Sequence, residues 1–418
     1  MILEINPHIF GKKIGTLLYD SGKVYFEYDE AFKHSGLEIS PVKLPLSGTR
    51  LYLNEEERDY FQGLPGVFHD SLPDKFGTKI IERYFESKQI PPHNLNVLQK
   101  LMFVGNKSMG AISYEPSERL MDRHEMQELI DIERFSQHAR RIIEGETFEV
   151  VEGVLAFMDS AASAGGARAK AVVGFDPATE KMIYGLRDEL PEEFEHWLIK
   201  FDMHDEKGRS QDYTKLEYLY MTMAREAGIE IPDIYLLEQG SLTHYMVRRF
   251  DRVEGERLHM HSAAGMVHAN INLPGHYSYD HLMRLTRSMT GAQSDVEELY
   301  RRMVFNIIAR NQDDHAKNFA FLMDSRGVWK LSPAYDITYA YGTGYTRVHQ
   351  LSLKGKTTDF TQDDLLQIAK THSIDPKSAA AWIEKIKEVL SAFPDRAKAL
   401  DIHQKMIERV AGSHRLGI

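Results

Sequence analysis

The pattern of apolar and polar positions changes period several times along the chain. Near the start, IGTLLYD and KVYFEYD alternate on either side of Ser21-Gly22, which predicts two strands joined by a tight turn. A Gly/Pro-dense stretch follows, GLPGVFHDSLPDKFGTKIIERYF, and its last part carries Phe76, Ile80, Ile81 and Tyr84 at helical spacing. GNKSMGAISYEP reads as a return to strand that closes near residue 116, and residues 117–145 are polar but helically periodic, a connecting segment. SAASAGGARAKAVVGFD and HWLIKFD look like strands beside a loop of small residues. In TKLEYLYMTMAREAG, Leu216, Leu219, Tyr220, Met223 and Ala227 share a helical face that stops at Gly228. IPDIYLLEQG and LTHYMVRRFDR are strand-like on either side of Gly240-Ser241. The remainder predicts helices: Leu299, Met303, Val304, Ile307 and Ile308 form one face, and Asp375-Pro376 supplies an N-cap and first turn to another. Three segments are expected, a β-rich 1–116, a mixed 117–252 and a helical 253–418.

Composition narrows the function classes. The 418 residues can fill two or three cores. A formal charge of -11 argues against broad nonspecific binding of nucleic acid. With no cysteine there is neither a disulfide framework nor a thiolate metal site, so any metal must take oxygen or imidazole ligands. The N-terminal MILEINPHIF lacks a secretory pattern and no long apolar run occurs, so a cytosolic protein without membrane contact is expected.

The densest chemistry lies in ARNQDDHAKNFAFLM, residues 309–323. Charged residues are costly to bury without partners, and this cluster is flanked by apolar sequence on both sides. Asp313 and Asn318 stand five positions apart after a helix, the DxxxxN spacing of a phosphoryl-transfer loop. A carboxylate there would orient or deprotonate an acceptor hydroxyl, and the amide oxygen would face a nucleotide's Mg²⁺. Asp336, in LSPAYD and 18 residues past Asn318, is the expected second magnesium ligand, although it stands in Tyr-Asp-Ile. Upstream, Lys200 in WLIKFD suits contact with α/β-phosphates, and Glu217 is a candidate to orient it. SAGGARAK, residues 163–170, is a small-residue loop whose amides can approach phosphate, though it is no Walker A sequence.

Taken in order, GLPGVFHDSLPDKFG, GNKSMGAI, SAGGARAK, LIK, RFDR, NQDDHAKNF and LSPAYD resemble the HipA family of serine/threonine kinase toxins over nearly the whole length. The resemblance implies an α+β, two-lobed protein-kinase-like fold with a mixed β/α N-terminal part and an all-α C-terminal lobe. It implies Asp313 as the catalytic aspartate and Asn318 with Asp336 as Mg²⁺ ligands. ATP contacts would come from Gly165, Gly166, Ala167, Arg168, Ala169, Lys170, Lys200, Arg248, Arg249, Phe250, His315, Lys317, Asn318, Tyr335 and Asp336. Ser163 matches the family's autophosphorylated serine. A HipB-like DNA-binding antitoxin is the implied partner, with DNA reached only through that complex, and an aminoacyl-tRNA synthetase is the implied substrate. Two positions depart from relatives: Arg248 stands where some have an acidic residue, and Asp314 replaces a glycine, with no role assignable from sequence.

Simpler readings compete at each position. Lys200 alone is a strand lysine, SAGGARAK alone a flexible turn, and Glu217 one of many helix glutamates. Asp-Asp-His would also suit metal-dependent phosphodiester hydrolysis. His259, His261 and His268 cluster in LHMHSAAGMVHAN, but their spacing favours a partly buried loop and helix over a metal site. A nucleotide-binding corepressor acting through its antitoxin, and a small-molecule kinase, are the functional alternatives.

Overall fold

A computed structural model of the chain describes residues 2–47, 51–118, 129–145, 152–161, 168–204 and 208–418. The N-terminal sheet is antiparallel. Its central strands are Leu3–Ile9, Gly15–Asp20 and Lys23–Tyr28, and the register runs from Gly15 opposite Tyr28 to Asp20 opposite Lys23. Ser21 and Gly22 carry φ of 50° and 83°, the paired positive values of the turn that matches strand twist. Alternation then sends Val24, Phe26 and Tyr28 to one face, where they pack with Phe68, Leu98 and Leu101. The short strand Ser113–Glu115 pairs with Leu3–Ile9, so GNKSMGAISYE returns to the first sheet.

The second sheet has five antiparallel strands in the spatial order Ile234–Gln239, Leu242–Arg248, Glu195–Lys200, Lys170–Asp176 and Lys181–Tyr184. Its period of two separates two faces. Ala171, Val173, Phe175, Trp197, Ile199 and Met246 face one core, shared with Phe76, Ile80, Phe135 and Phe157 from the helices Lys75–Ser87, Ile132–Glu144 and Glu152–Ala161. Lys170, Lys200 and Tyr245 are register partners in one row on the other face. That face is covered by the helix Tyr213–Glu226, which carries Glu217.

The last part is helical around the largest core, with helices Tyr279–Thr290, Gln293–Ala309, Gln362–Thr371 and Pro376–Ser391 among its walls. Asp375 caps the last of these by accepting from the Ser378 amide, 2.9 Å away. Two small sheets are set into this part, one made of His259–Ser262, Ala320–Met323 and Trp329–Leu331 and the other of Tyr277–Ser278 with Leu351–Ser352. The helix Gln293–Ala309 ends at Arg310, whose φ of 60° turns the chain into residues 311–319.

Candidate active site

Lys200 is the centre of the site. It ends its strand on the row shared with Lys170 and Tyr245, so its amine points away from the aromatic core and toward the covering helix. There it donates to Glu217 Oε1 at 2.5 Å and to Asp336 Oδ1 at 2.5 Å. Burial works against the ammonium, but the Asp336 and Glu217 carboxylates outweigh it and hold Lys200 charged. Asp336 is in turn kept well below the usual carboxylate range, chiefly by Lys200. Its backbone takes φ of 57°, a left-handed conformation that costs of order 1–3 kcal/mol away from glycine and persists where surrounding contacts fix it. Lys170 is buried beside Lys200, and burial together with that like charge pushes it down to about 8. Lys170 and Lys200 thus stand side by side on one buried sheet face, with Asp336 and Glu217 as the facing carboxylates.

Asp313 is reached from the helical part. Burial, then the charges of Asp336, Asp314 and Asp74, push its carboxyl up to about 7, with Lys200 opposing. The side chain is only half-buried, with 39% of it exposed. His315 Nε2 lies 3.6 Å from Asp313 Oδ1, and burial pushes that imidazole down, toward its neutral form. Asn318 follows on a single 3-10 turn and donates from Nδ2 to the Asp313 carbonyl at 2.9 Å, which closes the loop and leaves its amide oxygen as the free hard donor of the pair. Tyr335 donates to the Lys317 carbonyl at 2.7 Å, and its ring lies 5.7 Å from that of Phe250. Phe250, Tyr335, Lys317, Asn318 and Asp313 therefore form one connected wall.

Other expected residues sit differently. Arg248 is on the surface, paired with Glu195 at 2.8 Å and Asp233 at 3.4 Å. Arg249 points into the protein: it forks onto Asp251 at 2.9 and 2.7 Å, while Arg252 reaches the same carboxylate at 2.8 Å. Asp251 also accepts from the Gly110 amide at 2.6 Å, so RFDR and GNKSMGAI are two halves of one buried clasp, and the Arg249 guanidinium does not join the wall. Arg168 lies over the Tyr213 ring at 4.4 Å, and the Ala169 carbonyl accepts from the Phe201 amide at 3.0 Å. A cavity of about 410 Å³ opens beside these two residues, lined also by Lys75, Lys79 and Arg140. Ser163, Gly165, Gly166 and Ala167 lie outside the described residues.

Asp314, unexplained by sequence, is a buried anchor. It accepts from Tyr279 Oη at 2.5 Å, the Gln350 amide at 2.7 Å and His349 Nδ1 at 2.7 Å, tying the loop to the helix Tyr279–Thr290 and to the segment beyond Asp336. The three histidines of LHMHSAAGMVHAN knit the N-terminal part to the helical part. His259 Nε2 meets the Ile39 carbonyl at 2.9 Å, His261 meets Asp70 at 2.7 Å and Ser40 at 3.0 Å, and His268 accepts from the Gly66 amide at 3.0 Å. A residue that sequence reasoning missed is Asp74, whose Oδ1 accepts from Lys317 Nζ at 2.5 Å. Its only signal was an aspartate in front of a helical pattern.

Asp336, beside Lys200, and the Asn318 amide, on the Asp313 loop, each offer one hard oxygen, and among the described residues no cluster of three His, Asp or Glu could hold a metal unaided. Such a pair fits Mg²⁺ that arrives with a nucleotide, since Mg²⁺ is commonly held by one or two side chains with phosphate oxygens and water completing the shell. Among the described residues no helix is long and apolar enough to cross a membrane.

Comparison with known proteins follows the same outline. The family model described as the HipA-like C-terminal domain matches residues 162–393, and that described as the HipA N-terminal domain matches residues 7–115. A protein of Sinorhizobium fredii named "Putative kinase Y4dM" is 25% identical over 241 residues, 51% of this chain, and the chain spans 57% of that relative's length. Among solved structures, HipA of Shewanella oneidensis, determined with HipB and its operator DNA, superposes with a TM-score of 0.68 at 17% identity, over 98% of this chain and 94% of that one. At that identity the likeness establishes the fold.

Proposed function

The chain belongs to the HipA family, and from that premise we propose that it is an ATP- and Mg²⁺-dependent serine/threonine protein kinase, the toxin of a toxin–antitoxin pair. One observation carries the reading: a buried lysine bridges a helix glutamate and a loop aspartate at 2.5 Å each, beside a loop in which an aspartate and an asparagine are closed on one another. This is the minimum equipment of a phosphoryl-transfer site that works by positioning and electrostatics.

In this reading Lys200, kept rigid by Glu217, meets the α/β-phosphates, and Lys170 adds charge behind it. Asn318 and Asp336 would hold Mg²⁺, which would supply positive charge to the nucleotide's phosphates. Binding of nucleotide requires Asp336 to share or release Lys200, its partner in the free protein. Asp313 orients the acceptor hydroxyl and takes its proton as the new O–P bond forms. The bond from the γ-phosphorus to the β–γ bridging oxygen breaks, and ADP leaves. Phe250 and Tyr335 offer aromatic surface next to this wall.

Ser163, at the start of the small-residue loop, is the proposed site of self-modification. A phosphate there, with about -1.5 to -2 charge, would compete with nucleotide for the same cations. The proposed partner is a HipB-like, DNA-binding antitoxin, since the Shewanella relative was determined in such an assembly. An aminoacyl-tRNA synthetase is the first acceptor to try. Incubating purified chain with Mg-ATP and mapping phosphate by mass spectrometry tests the proposal. Phosphate on Ser163 or on an added acceptor supports it, whereas ATP binding without transfer favours a nucleotide-binding corepressor.

A further inference from the structure

We propose that Asp74 is a positioning residue of the catalytic loop, holding the Lys317 ammonium where that cation meets the transferring phosphoryl group. The inference rests on the kinase reading of the site. Asp74 and Lys317 are 243 residues apart in sequence and 2.5 Å apart in space, the lysine mostly withdrawn from water and the aspartate about a third exposed at 33%.

The local structure of Asp74 supports a task beyond its own helix. It occupies the N-cap position of Lys75–Ser87 with extended backbone, φ -75° and ψ -163°. An aspartate there ordinarily accepts from an amide in the first helical turn. Asp74 makes no such capping bond, and its carboxylate turns to the lysine of the catalytic loop.

Lys317 is consequently fixed at both ends. Its carbonyl accepts from Tyr335 Oη at 2.7 Å, and its amine is held by Asp74. A free lysine side chain samples many rotamers, and fixing it before substrate arrives removes that entropic cost from the reaction. An ammonium has three donors, so one bond to Asp74 leaves others for phosphoryl oxygens. The same contact makes the N-terminal part a contributor to the site.

The test uses the full chain with Asp74→Asn and Asp74→Glu. For Asp74→Asn, kcat should fall roughly 10- to 100-fold, the penalty of a misplaced catalytic group, with KM for ATP changed less than about 3-fold. Asp74→Glu should recover part of kcat. A double-mutant cycle supplies the readout that a purely structural role would not move: once Lys317→Met has removed the cation, adding Asp74→Asn should change kcat by less than about 2-fold, because the two residues act as one unit. Wild-type kcat in Asp74→Asn, or fully additive losses in the double variant, would overturn the inference alone. Absence of transfer by wild-type protein would overturn the kinase reading and the inference together.

Discussion

Replacing Asp314 with alanine separates the structural charge of the loop from the chemical one. The carboxylate is buried, and truncation strands three donors in the interior: Tyr279 Oη, the Gln350 amide and His349 Nδ1. Hydrogen bonds to a charged group contribute about 1.5–3 kcal/mol each, but their simple sum overstates the effect, because losing the carboxylate also relieves its own desolvation. Leaving a buried donor without a partner costs about 1–3 kcal/mol, so three of them, partly relieved by relaxation, cost about 3–5 kcal/mol together. For a cooperative unit of 150–250 residues each kcal/mol lowers Tm by about 2–4 °C, so Asp314→Ala should melt roughly 6–20 °C below wild type. Near-ultraviolet circular dichroism during a thermal scan follows the loss, with Trp329 and Trp382 reporting from the helical core. A melting point within about 2 °C of wild type, joined to loss of phosphoryl transfer, would refute the anchor role and make Asp314 part of the chemistry.

The remaining expectations concern the site itself. With Asp313 as the proposed base, and burial and neighbouring carboxylates pushing its carboxyl up to about 7, kcat/KM should fall on the acid side of about pH 7, roughly tenfold per unit once the carboxyl is protonated; a flat profile from pH 5 to 8 would exclude that role. Lys200→Met should lower kcat/KM about 10²-fold or more, with Glu217→Gln less severe because the lysine keeps Asp336; equal activity in both variants and wild type would remove Lys200 from the phosphate site. Chelation with EDTA should abolish transfer and added Mg²⁺ restore it, whereas transfer undiminished in excess chelator would leave Asn318 and Asp336 without their proposed task.

Much of the fold was legible where one period ruled a whole segment. Ser21-Gly22, the strands flanking Gly240-Ser241, and the helix carrying Leu299 to Ile308 all follow from local pattern and turn chemistry. The Lys200–Glu217 contact was expected because the types of both residues and the strand-then-helix order constrain them to one sheet face. What stayed hidden depends on contacts distant in sequence. Nothing near Asp314 announces Tyr279, His349 and Gln350, and nothing near Asp74 announces Lys317. Arg249, expected among the nucleotide contacts, turns its guanidinium inward, because Asp251 two positions on is itself buried and needs a partner. The cluster His259, His261 and His268 belongs to the same class, with each ring answering a group in the N-terminal part.

The central claim, that Asp313 serves phosphoryl transfer, is tested most directly by the initial rate at which γ-labelled ATP with Mg²⁺ passes phosphate to protein. Asp313→Asn keeps the size of the side chain and the Asn318 bond, which goes to the Asp313 main-chain carbonyl, so the loop should stay closed while the base is lost. The account expects a fall of about 10²- to 10⁴-fold with ATP affinity largely kept. Transfer by Asp313→Asn at the wild-type rate would contradict it.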